Sequence, residues 1–335
     1  MIEVKNLVKR YGTQVAVDHL NFTLEKGKIY GFLGPNGAGK STTMNIMTGY
    51  LGATEGEVVI NGHDILKEPE AAKKCIGYLP ELPPLYTDMK VEEYLHFAAE
   101  LKKIAKKDRE GQIGRVMELT KLGDVRHRLI RNLSKGYRQR VGLAQAILGF
   151  PEIIILDEPT VGLDPKQIIE IRELIRELAK DHTVILSSHI LAEISAVCDY
   201  ILIISHGKLV ASDTPEHLEM QMKGSERLLI YARGIQSVVE GILSQVPHIA
   251  DVSYTVLEDG TTKAEILEEE GADIREELFY AFAENRCPLL EMTKTKATLE
   301  NVFLELTQSE EQEAPVSEQT EESVESEEEA DESDL

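Results

Sequence analysis

Apolar and polar positions alternate over the first dozen residues, where Ile2, Val4, Leu7 and Val8 run to Tyr11-Gly12. That is the pattern of a half-buried strand ending in a turn. Runs that predict further strands recur at 14–24, 29–33, 57–60, 76–79, 152–156, 183–187 and 200–205. Helical spacing lies between them. Over 166–179, Ile171, Leu174, Ile175 and Leu178 fall at i, i+3, i+4 and i+7, one buried stripe. Strands alternating with helices predict a layered α/β domain. Residues 86–150 break the alternation: charged and nearly strand-free, they predict a helical subdomain inserted in the sheet.

The pattern changes after Gly224. A strand at 228–232, a helix at 236–245 and a hairpin of 252–257 with 262–267 around Asp259-Gly260 come first. A helix at 274–285, a strand at 289–293 and a last helix at 298–306 complete the run. The order β-α-β-β-α-β predicts a small α+β, ferredoxin-like domain over 225–307. From Gln308 the chain is Glu, Ser, Gln and Ala with almost no large apolar residue. Such a segment buries too little surface to offset its ordering entropy, so 308–335 is expected to be a disordered acidic tail. A solubilising role and a partner-binding role both remain open for it.

One run carries more chemistry than any other. Gly34-Pro35-Asn36-Gly37-Ala38-Gly39-Lys40-Ser41-Thr42 fits G-x-x-x-x-G-K-[ST], the loop that cradles nucleotide phosphates. It follows the strand 29–33 and opens a helix expected over 41–49, so its N–H groups converge at a helix N-terminus. Lys40 is placed for the β- and γ-phosphates and the Ser41 hydroxyl for Mg²⁺. The glycines fall as G-x-x-G-x-G, which argues against a dinucleotide fingerprint.

A second piece is Ile153-Ile154-Ile155-Leu156-Asp157-Glu158-Pro159. An apolar strand buried on both faces delivers two carboxylates at its C-terminal end, where α/β sheets bind ligands. Asp157 suits Mg²⁺, and Glu158 suits the general base that polarises water. The third piece, Leu133-Ser134-Lys135-Gly136-Tyr137, leads into an apolar helix. Ser134 can cap it, and the N–H groups near Gly136 form a second phosphate site.

Charge and composition narrow the class. The chain has 335 residues and a formal charge of −23, against a broad basic face for nucleic acid. Residues 308–335 hold 13 acidic side chains and no Lys or Arg, which leaves the body at −10. Cys75, Cys198 and Cys287 are far apart, without metal-ligand spacing, and read as reduced, packed thiols. No leader pattern and no apolar run near 20 residues appears. Any membrane part is therefore expected on another chain.

Together these blocks resemble the nucleotide-binding subunit of an ATP-binding cassette (ABC) transporter, over residues 2–217. The resemblance implies a P-loop ABC ATPase fold over 1–222 with the helical signature subdomain at 86–150. It also implies two subunits head to tail, each ATP held between one phosphate loop and the other subunit's signature motif. Leu133–Tyr137 corresponds to that signature, with Lys135 and Tyr137 departing from the family pattern and Ser134 and Gly136, the γ-phosphate contacts, kept. Lys135 and Arg138 add positive charge for anion binding. Tyr11 fits the aromatic that stacks on adenine. Val161–Pro165, with Asp164, resembles the D-loop that crosses the dimer interface, and His189 fits the switch histidine beside the γ-phosphate. Glu81 stands where the family usually carries glutamine. As a hard oxygen donor it can still serve Mg²⁺.

The appended unit and the ending Thr298–Thr307 resemble the ABC-2 type export branch, and the stretches Gly77–Glu81 and Pro83–Tyr86 resemble members near its gliding-motility and multidrug group. The implied function is an ATP-hydrolysing subunit, with ATP and Mg²⁺, energising a separate membrane permease for export. The implied setting is cytoplasmic, peripheral on the membrane through the permease, as a homodimer without nucleic acid. A regulatory cassette that binds ATP without driving transport, and a soluble non-transport ATPase, are the alternatives. Residues 81–99 suit the groove that receives the permease and ordinary core packing equally.

Overall fold

The chain opens on a hairpin of Ile2–Tyr11 (β1) and Gln14–Leu24 (β2), with Tyr11 opposite Gln14. Gly12 turns it at φ +60°, a region glycine enters without steric cost. Ile29–Leu33 (β3) runs through the glycine-rich loop into Lys40–Met47 (α1). Glu55–Ile60 (β4) and the short His63–Asp64 (β5) follow. These strands, β3 excepted, form an antiparallel sheet in the order β2-β1-β4-β5. Strand periodicity does not say which strands share a sheet, and the existence of this separate sheet is a finding of the structure. The structure, a computed structural model, describes residues 1–221, 227–257, 259–269 and 271–295. The helix expected at 298–306 and the tail from 308 lie outside the described residues.

Pro69–Lys74 (α2) and Ile76–Leu79 (β6) precede three helices: Val91–Leu101 (α3), Lys106–Leu119 (α4) and Lys135–Ile147 (α5). No named strand falls between β6 and Ile153, in keeping with the strand-poor pattern of 86–150. Leu95, Ala98 and Ala99 of α3, Ile113 and Val116 of α4, and Val141 and Ala144 of α5 share one apolar core.

The chain then alternates: Ile153–Leu156 (β7), Pro165–Leu178 (α6), Thr183–Ser188 (β8), Leu191–Ser195 (α7), Tyr200–Ser205 (β9), Lys208–Asp213 (β10) and Pro215–Gln221 (α8). Six strands assemble in the order β10-β9-β3-β8-β7-β6, parallel except for β10 at the edge. Every residue of β3, β7 and β8 is buried, because both faces of the sheet are covered. Alternate residues serve opposite cores. Phe32, Ile153, Ile155 and Ile185 meet Val4, Leu7 and Val58 of the antiparallel sheet. Leu33, Ile154, Leu156 and Leu186 meet the helices. Each such side chain contributes about 1.5–3 kcal/mol on burial.

Arg227–Ala232 (β11), Gln236–Leu243 (α9), Ile249–Val256 (β12), Thr262–Glu268 (β13), Arg275–Glu284 (α10) and Leu289–Thr295 (β14) form the third sheet and its helices. Its antiparallel order, β12-β13-β11-β14, is that of a ferredoxin-like unit. Leu228, Ile230, Ala264 and Ile266 from one sheet face pack with Val239, Ile242, Leu278 and Phe282 of the helices.

Candidate active site

The loop after β3 is shaped by its glycines. A Cβ on Gly34 would lie 2.3 Å from the Ile204 carbonyl oxygen, and one on Gly39 would lie 2.4 Å from that of Ala16. Gly37 and Gly39 have φ of +83° and +101°. Only glycine fits such a path without strain, and the path turns the backbone toward the start of α1. Lys40 opens that helix and is 6% exposed. Its ammonium donates to the carbonyls of Gly34 at 2.7 Å and Pro35 at 3.1 Å, and stands 4.0 Å from Glu158 Oε1. Burial pushes the Lys40 pKa down, while the carboxylates of Glu158 and Asp157 oppose the shift. A buried ammonium is favoured where an anion can approach it.

The end of β7 supplies the acids. Asp157 Oδ1 accepts from Ser41 Oγ at 3.1 Å and from Ser187 Oγ at 2.6 Å. The backbone N–H of Glu158 donates to Ser187 Oγ at 2.9 Å. Ser187 thus ties both acids to the neighbouring strand β8. Glu158 has φ of +47°, a conformation costing a non-glycine residue about 1–3 kcal/mol. His189, just past β8, has Nδ1 3.2 Å from each Glu158 carboxylate oxygen.

These elements enclose a cavity of about 390 Å³. Asn36, Gly37, Gly39, Lys40, Ser41 and Thr42 line one side, and Glu81, Glu158, Val161, His189 and Ala16 the rest. Gly34, Pro35 and Ala38 complete the loop, Ala38 N donating to the Pro35 carbonyl at 3.2 Å. Among the described residues no three or more His, Cys, Asp or Glu side chains group as a metal site. The hard oxygens of Ser41 and Asp157 fit Mg²⁺ only with further oxygen ligands, which triphosphate oxygens supply.

Eight expected site residues are not among those lining this cavity: Gly34, Pro35, Ala38 and Asp157 adjoin residues that are, whereas Tyr11, Ser134, Gly136 and Asp164 belong to other segments. Tyr11 ends β1, 49% exposed, with the Lys9 ammonium 5.3 Å from its ring centre. Ser134 caps α5, accepting from Tyr137 N at 3.4 Å. Asp164 caps α6, accepting from Gln167 N at 2.9 Å. Gly136 lies under the Gln167 side chain, whose Oε1 would be 2.5 Å from an added Cβ. The signature run and the D-loop run therefore touch each other within one chain. Lys135 and Arg138, expected to face an anion, are exposed and contact their own chain here. The Lys135 ammonium lies against Gly162, and Arg138 Nη2 donates to the Arg131 carbonyl at 2.8 Å. Sequence reasoning passed over Ala16 and Ser187, and named Val161 only as the start of the D-loop run. Only Ser187 carried a signal: a polar residue closing an otherwise apolar strand.

The sequence model of the family described as "ABC transporter" matches residues 17–161. The bacitracin transport ATP-binding protein BcrA of Bacillus licheniformis is 37% identical, aligned over 91% of this chain and 97% of its own length. The linearmycin resistance ATP-binding protein LnrL of Bacillus subtilis is 30% identical, over 92% of this chain and 98% of its own. Among solved structures, the dimeric MJ0796, a bacterial ABC transporter cassette, superposes with a TM-score of 0.59 at 25% identity. That match covers 64% of this chain and 98% of the cassette. The likeness to BcrA and LnrL runs nearly end to end, and the chain belongs to the ABC transporter family, among its ATP-binding proteins.

Proposed function

We propose that the chain hydrolyses ATP in a head-to-tail homodimer and that closure of this dimer drives a separate membrane permease in the export direction. The observation that carries the reading is the convergence of Lys40, Ser41, Glu158 and His189 on one cavity while Ser134 and Gly136 lie elsewhere. A site that lacks its signature residues within the chain calls for a second subunit to supply them. The dimeric solved cassette supports the same arrangement.

In this reading the loop N–H groups and Lys40 hold the β- and γ-phosphates, Tyr11 meets the adenine, and Ser134 and Gly136 of the second subunit close over the γ-phosphate. Asp164 holds the D-loop at the interface. Glu158 takes the proton of the attacking water as its oxygen bonds to the γ-phosphorus and the bond to the β,γ-bridging oxygen breaks, giving ADP and phosphate. His189 keeps Glu158 and the water aligned. Ser41, Asp157 and Glu81 would hold Mg²⁺, which neutralises developing phosphate charge when bound. The ATPase domain takes 1–222 and the accessory domain 225–307. No described helix is long and apolar enough to cross a membrane. In this reading the permease is a separate chain and this one sits peripherally on the inner membrane face. The names of the relatives, transport of bacitracin and resistance to linearmycin, support export.

The test is Mg²⁺-dependent ATPase activity of the purified protein, alone and with membranes carrying a co-expressed permease. Phosphate release in either setting supports the reading. ATP binding without turnover in both would instead mark a regulatory cassette.

A further inference from the structure

We propose that Glu193 is a positioning residue for hydrolysis, tying the loop that carries Glu158 to the loop that carries His189. The proposal rests on the reading of Glu158 as the general base. Glu193 sits on α7, 7% exposed, and makes no ion pair with a described residue. An unpaired carboxylate buried this far is costly unless hydrogen bonds compensate it. Two hydroxyls do so. Thr160 Oγ1, two residues past Glu158, donates to Glu193 Oε2, and Ser188 Oγ, the residue before His189, donates to the same oxygen at 3.2 Å. Ser188 Oγ in turn accepts from Ile190 N at 3.0 Å, so the switch loop is held on both sides of His189.

The helix that carries this carboxylate is itself held. Arg172 and Arg176 of α6 donate to the carbonyls of Ala192 and Ala196, on either side of Glu193 along α7. Ser187 already joins the strand ends at Asp157 and the Glu158 backbone. It does not reach the loops beyond, where the 3.2 Å contact between His189 and Glu158 is made. Glu193 holds those loops together, without touching the reacting atoms.

Displacing an aligned group by about 1 Å can cost on the order of 10²-fold in rate. In the full-length protein, Glu193→Ala is therefore expected to lower kcat by about 10–100-fold. The affinity for ATP, and the ATP-driven dimer of a Glu158→Gln background, should stay within about threefold, as expected for a loss confined to the transition state. Glu193→Gln keeps an oxygen that accepts both hydroxyls and should recover most of the loss. Thr160→Val, which leaves α7 intact, should reproduce the Glu193→Ala defect, and the double variant should lose no more than either alone. It carries the same test if Glu193→Ala does not fold. A wild-type kcat in Glu193→Ala or Thr160→Val overturns the proposal. So does a fall in kcat matched by lost ATP affinity and lost dimerisation, the mark of general unfolding. Absence of ATPase in the wild-type protein would instead defeat the proposed function.

Discussion

The six-stranded parallel sheet and the C-terminal four-stranded sheet use strands in opposite ways. In β3, β7 and β8 every side chain is buried, and the parallel order brings their C-terminal ends to one edge. Three loops from that edge deliver Lys40, Glu158 and His189 to one cavity, with Asp157 hydrogen-bonded to Ser41 beside it. In β11 buried and half-buried residues alternate, and the antiparallel order sends successive strand ends to opposite edges. Its helices cover one face, and none of its residues lines the cavity. Burial on both faces makes convergence of distant residues possible. Burial on one face makes a stable unit without gathering chemistry.

Substitutions on the two sides should therefore fail differently. Glu158→Gln should reduce ATP turnover by about 10²–10⁴-fold, as loss of a general base does, with little change in melting temperature. Ile266→Ala, fully buried in the C-terminal core, should cost about 2–5 kcal/mol in chemical denaturation followed by circular dichroism. Its turnover at temperatures where the protein stays folded should be unchanged. A turnover loss there would break the contrast and tie the accessory domain to the site. Gly39→Ala falls between these cases. It forces a side chain into φ +101° and against the Ala16 carbonyl, so about 1–3 kcal/mol of strain should appear together with weaker nucleotide binding by calorimetry. The smallest effect is expected from Asp164→Ala, the loss of the α6 cap, at about 1 kcal/mol in the same denaturation assay.

The parallel strands were legible because strands buried on both faces are unbroken apolar runs. The phosphate loop and the acidic pair were legible because their residue types follow one another directly in sequence. Contacts between distant segments were not. Ser187 reads as the last residue of a strand, yet it bridges Asp157 and the Glu158 backbone, 30 and 29 positions away. Glu193 carried no sequence signal, and its two hydroxyl partners, Thr160 and Ser188, come from distant segments. The antiparallel sheet of β1, β2, β4 and β5 escaped notice because alternation gives a strand but not its neighbours. β10 escaped as well, since Lys208–Asp213 is too polar to stand out as a strand. Helix bounds moved by one or two residues: the helix expected at 41–49 begins at Lys40, whose side chain belongs to the loop and whose backbone belongs to α1.

The central claim is that each ATP is held by two subunits, and light scattering of the Glu158→Gln protein tests it most directly. With ATP and Mg²⁺ the variant should become a dimer, and without nucleotide it should be a monomer. Adding Ser134→Arg should abolish the dimer while each chain still binds ATP at its own Lys40 loop. Dimers that form equally well with Ser134→Arg, or a Glu158→Gln protein that binds ATP and stays monomeric, would contradict the account.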